Sequence, residues 1–190
     1  MPLLRSQSEK SMLGRYSSFA SVENTLSLVV DRLLKNERLK RLLYYTDKHA
    51  LELPKLNQEQ AYSLLNNQIR IVPKLTIDHD AKPYVIITLD NFVPMEDQTT
   101  FRSFQLGFDI LVPYEFWLLD NFKLRPYCIA GEIDGMINND FVIGTQVADF
   151  MGAKQLIINE AQGGLSLYYN VETYKDDKKL HPKEGPTPVF

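Results

Sequence analysis

Residues 101–112 read FRSFQLGFDILV, and the spacing inside this stretch decides the fold. Phe104, Leu106, Phe108, Ile110 and Val112 alternate with Ser103, Gln105, Gly107, Asp109 and Leu111. Successive side chains of a strand point to opposite faces, so this pattern predicts a strand with one face in a core and the other partly wet. A helix would instead repeat its apolar residues at steps of three and four. Pro113, which has no N–H for a ladder, stops the strand. Upstream, residues 84–89 (YVIITL) are β-branched and nearly all apolar, the composition of a central strand covered on both faces. Residues 91–100 (NFVPMEDQTT) read as the long connection between the two, with Glu96 and Asp97 near its tip.

Downstream, residues 114–124 (YEFWLLDNFKL) form an aromatic-rich connection. Pro126 then stands where the first helical position, N1, is expected, and Ile129, Ile133 and Ile137 recur every four residues beside Met136. Gly131 and Gly135 each cost this helix about 1 kcal/mol relative to alanine, which predicts a close approach to the sheet. Residues 152–159 (GAKQLIIN) and 165–171 (LSLYYNV) read as two further strands, with Gly163 and Gly164 in the hairpin turn between them. Residues 175–190, rich in proline and charge, form a flexible tail.

Toward the N-terminus the period changes. Residues 1–18 show none and read as an extended arm. Val22, Leu26, Val29, Val30, Leu33 and Leu34 share one helical face, with Ser21 as the expected N-cap and Glu23 favouring the helix dipole. Asn36 is placed to re-cap the helix before Leu39, Leu42 and Leu43 resume the stripe. Arg32, Lys35, Arg38 and Arg41 recur every three residues as a basic ridge, a wet helix side or a docking surface for an acidic neighbour. Pro54 ends this region. Asn57 and Gln60 have capping-box spacing and predict a short helix reaching Asn67. Ile69, Ile71, Leu75 and Ile77 suggest an irregular edge strand around Pro73. The reading is an α+β domain: a small, mostly antiparallel sheet with helices packed on one face. One domain spans 19–174, helical over 19–68 and sheet plus helix over 69–174.

Composition bounds what such a domain does. A chain of 190 residues that is 44% hydrophobic can build one core, which excludes disorder as its main state. The longest apolar run, 84–89, is far short of the ~20 residues of a membrane helix. Polar residues from Arg5 to Gln7 predict no signal peptide. Cys128 stands alone, so no internal disulfide and no cysteine-based zinc site is expected. Residues 1–75 carry 12 Lys/Arg and 7 Asp/Glu, whereas residues 76–160 carry 5 and 13. That asymmetry suggests charge-complementary contacts within the chain or between copies, and the acidic part argues against sequence-specific nucleic-acid binding.

Asp78, His79 and Asp80 form the one local acid–histidine cluster. His49 and His181 fall in a helix end and the tail, so a polar loop is expected there and no metal site. Cys128 reads as a small core residue. Glu132 and Asp134 read as a solvated helix face. No phosphate loop, dinucleotide fingerprint, nucleophile elbow or His-Glu-x-x-His is present, so no catalytic residue, cofactor or metal is assigned. A small enzyme using the Asp78–Asp80 cluster with Cys128 or Glu132, or a cytosolic regulatory or binding domain that is a monomer or dimer, are the readings from other classes. Phe116, Trp117 and Phe122 cluster in one connection, and Tyr168-Tyr169 puts an aromatic on each face of the last strand. Large aromatics in such places serve as interface anchors. The interface candidates are therefore Phe116, Trp117 and Tyr168, basic Arg38 and Arg41, and acidic Glu96 and Asp97.

From Tyr84 to Val171 the ordered set of strand (YVIITLD), acidic loop (PMEDQTT), alternating strand (FRSFQLGFDILV), aromatic connection, helix and closing hairpin (GAKQLIINEAQGGLSLYYNVE) resembles the tail terminator and tail-completion proteins of tailed bacteriophages. The resemblance implies a virion structural protein without enzymatic activity. It would form a ring, a hexamer in most of the family, that caps the tail tube and joins it to the head. It also implies a protein assembled in the host cytoplasm, with tail-tube and neck proteins as neighbours and DNA passing through without sequence-specific binding. A stopper or adaptor of the neck is the nearest alternative. Head-to-tail contacts in a ring join two different patches, which suits a chain with one basic and one acidic region.

Overall fold

The computed structural model describes residues 19–71, 82–94, 101–138 and 148–174. The arm 1–18, the tail 175–190, Leu75, Ile77, Asp78, His79, Asp80, Glu96 and Asp97 lie outside the described residues. In chain order the elements are α1 (Phe19–Lys35), α2 (Glu37–Tyr44), α3 (Gln58–Ser63), β1 (Ile69–Arg70), β2 (Tyr84–Pro94), β3 (Phe101–Pro113), 3-10 turns at Tyr114–Phe116 and Asp120–Phe122, α4 (Arg125–Ile137), β4 (Asp149–Ile157) and β5 (Gln162–Tyr174). The sheet order is β1-β2-β3-β5-β4, antiparallel throughout except for the two-residue β1, which lies parallel to β2. The chain is thus α+β, with a mostly antiparallel sheet and helices packed on it.

β3 is the central strand, and its alternation sets the register on both sides. Ile110, Phe108 and Leu106 sit opposite Val85, Ile87 and Leu89 of β2, and opposite Leu165, Leu167 and Tyr169 of β5. Phe104, Leu106, Phe108, Ile110 and Val112 are all buried. Each such side chain contributes about 1.5–3 kcal/mol by leaving water. Ile129, Ile133 and Ile137 of α4 are fully buried, and α4 packs against β3 and β5. α1 and α2 pack beside it through Val29, Leu33, Leu39, Leu42 and Leu43.

Local chemistry explains most helix ends. The Asn36 side chain accepts from the Leu39 N–H and re-caps the helix, and Asn57 with Gln60 forms the complete capping box. Several expectations need correction. α1 begins at Phe19, so Ser21 lies inside the first turn and not at the cap. α3 ends at Ser63, well before Asn67, where turns around Asn66 (φ 63°) lead into β1. Pro126 is the second helical residue, a position whose N–H has no intrahelical partner anyway. β2 runs on to Pro94 through a bulge at Asn91, and it is covered on one face only: Val85 and Ile87 are buried, Tyr84, Ile86 and Thr88 half-exposed.

The glycines also reverse their expected roles. Gly131 and Gly135 lie on the outer side of α4, two residues out of phase with the isoleucines, and a Cβ there would meet nothing within 4 Å. Gly163 and Gly164 are not turn residues; they begin β5 between β3 and β4. A Cβ on Gly164 would lie 1.8 Å from the Ile110 carbonyl oxygen, so backbone approach is what requires glycine there.

Candidate functional site

Arg125, the first residue of α4, is completely buried and organises one corner of the molecule. Its Nε donates to the Phe116 carbonyl (2.8 Å), Nη1 to those of Leu42 (2.9 Å) and Tyr45 (2.6 Å), and Nη2 to those of Thr46 (3.0 Å) and Asp47 (2.6 Å). All five guanidinium N–H groups are satisfied. Leu42 is near the C-terminal end of α2, where carbonyls lack helical partners and a cation is favoured. Burial lowers the Arg125 pKa to about 10, opposed by the negative Asp47 and then by Cys128, so the group stays charged at neutral pH. The clamp joins the end of α2, residues 45–47 and the aromatic connection. Spacing alone could not reveal it, because its acceptors come from backbone distant in sequence. Cys128, one turn further along α4, is half-buried against the core as expected.

The aromatic connection rests on this corner. Phe116 and Trp117, two of the expected anchors, are half-buried against the core, and the Trp117 indole donates to the Val112 carbonyl at 2.9 Å. Their neighbours face outward instead: Leu118, Leu124 and Tyr127 are exposed, and Phe122 is 93% exposed with φ 59°. A left-handed phenylalanine costs roughly 1–2 kcal/mol, so the chain holds this ring outward against local preference.

The second apolar surface is β4. Among the described residues it pairs with β5 alone and forms the edge of the sheet. Seven of its nine residues are exposed, including Phe150, Met151 and Ile157 (73%), and Ile158 beyond it is exposed too. Gly152, at φ 148°, carries the bulge that breaks its register between Phe150 and Gly152. An edge strand with unpaired N–H and C=O groups and apolar side chains is a template for another chain. Tyr168 lies half-buried on the face away from the helices. Tyr169 points into the core, and its hydroxyl donates to Asp134 Oδ1 at 2.8 Å. Burial first, then the bonded carboxylate, raises the Tyr169 phenol far above its ordinary value.

The basic ridge is engaged within the chain. Arg38 Nε meets Glu132 Oε1 at 2.6 Å, Asn36 Nδ2 donates to Glu132 Oε2 at 3.1 Å, and Arg32 donates to the Met136 carbonyl at 2.7 Å. Arg41 donates to the Leu51 carbonyl and, at 3.3 Å, to that of Leu53. Glu132 and Asp134 are thus partners of α2 and β5 and not a solvated pair, because α4 packs with both faces near other elements. A groove of about 720 Å³ between α1 and α3 is lined by Leu26, Val30, Leu34, Leu56 and Tyr62.

His49, expected to stand alone, is not alone. Its Nδ1 lies 3.6 Å from Glu52 Oε2 and 3.6 Å from Asp120 Oδ2. The spacing of His49 and Glu52 was a local signal; Asp120, from the aromatic connection, could be added only by the fold. Among the described residues no helix is long and apolar enough to cross a membrane.

No curated protein and no solved structure matches the chain. A family model described as YomW matches residues 36–171, a stretch that runs from the Asn36 cap through the Arg125 corner to β5. With well over half of its length inside that match, the chain belongs to the YomW family.

Proposed function

We propose that this protein is a virion structural protein of the tail-terminator type, assembling into a ring that caps a tail tube and joins it to the head or neck. The observation that carries the reading is β4, which among the described residues is an edge strand exposing Phe150, Met151 and Ile157. Large apolar side chains exposed along a sheet edge are candidates for pairing with another chain. The outward patch of Leu118, Phe122, Leu124 and Tyr127 supplies a different second surface, which head-to-tail closure into a ring needs. The Arg125 clamp holds that patch rigid, so little ordering entropy opposes docking. The reading assigns no catalytic step and no cofactor. DNA would pass through the lumen without sequence-specific binding.

Negative-stain imaging of the purified protein tests this reading. Closed rings with a central opening, sixfold in the simplest case, are expected; a field of single-chain particles at micromolar concentration contradicts it.

A further inference from the structure

We propose that His49, Glu52 and Asp120 form a binding site for one divalent transition cation, with zinc the best-matched ion. This inference does not rest on the ring reading. The three ligand atoms lie within 4.8 Å of one another, and Nδ1 is 3.6 Å from each carboxylate oxygen. Zinc bonds to nitrogen and oxygen of about 2.0–2.2 Å put neighbouring donors roughly 3–3.5 Å apart, so small side-chain movements close the site.

A second observation points to a ligand. His49 Nδ1 is shut off from solvent and has no hydrogen-bond partner, although two carboxylates flank it. The nitrogen stands 3.6 Å from each carboxylate oxygen, beyond hydrogen-bond distance from both, so the three donors face one another across a gap that a cation can fill. One imidazole and two carboxylates neutralise a divalent ion, and the imidazole favours zinc over calcium or magnesium. Both carboxylates reach solvent, which leaves room for water to complete the coordination.

The backbone holds these donors in place before any ion arrives. The His49 N–H donates to Asp47 Oδ1 (2.7 Å), the Glu52 N–H to the His49 carbonyl (2.8 Å) and the Asp120 N–H to the Lys48 carbonyl (3.1 Å). Arg125 pins the Asp47 carbonyl from the other side at 2.6 Å. Asp120 also opens the turn that presents Phe122, so a bound cation would tether that turn to residues 49–52.

Calorimetric titration of the full chain with zinc chloride, with calcium chloride as the comparison, tests the proposal. One zinc per chain is expected, with calcium binding at least tenfold weaker. Cobalt in place of zinc should give a visible absorption band that His49→Ala removes. His49→Ala and Asp120→Asn should each weaken zinc at least tenfold. Glu52→Gln, at an exposed position, provides a variant that keeps the fold, and zinc should raise its melting temperature less than that of the parent. His79→Ala should leave binding unchanged. The proposal is overturned by absence of saturable zinc binding, by binding that survives His49→Ala, or by loss confined to His79→Ala.

Discussion

Arg125 shows how one side chain can carry a structural load far beyond its neighbours in sequence. Its five donors meet five carbonyls, so removing the head group strands buried acceptors from three segments. Arg125→Met should lower stability by about 3–5 kcal/mol in urea unfolding, because each buried carbonyl left without its donor costs about 1–3 kcal/mol. Tyr169 makes a pH-dependent contribution. Its phenol is raised in the fold, so the native state keeps a proton that the unfolded chain loses near pH 10. The contribution is therefore complete below about pH 10 and declines as pH rises above it. Tyr169→Phe should cost about 1 kcal/mol at pH 7 and flatten the fall in stability between pH 10 and 11. The strand position of Tyr169 was legible in the sequence, but neither its Asp134 partner nor the Arg125 clamp was, because the groups around a buried phenol or charge come from distant segments.

Elements whose causes are local were legible. The alternation of β3, the Asn36 cap and the Asn57–Gln60 box each depend on residues within a few positions, and each is present. The glycines were not, since their reasons lie across the sheet or in its absence. Gly164→Ala would drive a Cβ into the Ile110 carbonyl oxygen, and backbone there cannot yield. A loss of roughly 3 kcal/mol or more is expected. Gly131→Ala meets nothing and replaces glycine inside a helix, so a gain of about 0.5–1 kcal/mol is expected. Thermal or urea unfolding of the two variants side by side checks both signs. The same distinction explains the interface candidates. The aromatic connection was recognisable by composition, yet the fold turned Phe116 and Trp117 inward and left Phe122 outside.

For the molecule as a unit, the charge asymmetry has a partly internal resolution. Arg38 of the basic half already meets Glu132 of the acidic half, so complementarity first serves to fix α2 against α4. An exposed pair of this kind contributes little stability, about 0–1 kcal/mol, and its effect is mainly one of registry. Among the described residues, the β4 edge and the side chains around Phe122 leave large apolar groups exposed. Those surfaces are the basis for reading the protein as a component that works by assembly. The most direct measurement is light scattering after gel filtration on the full chain and on the double variant Met151→Lys with Ile157→Lys. Both side chains are exposed, so the fold of a single copy should survive the change. The account predicts a parent with the mass of a closed ring and a variant with the mass of one chain. A parent that runs as one chain at every concentration, or a variant that keeps the ring mass, would contradict it.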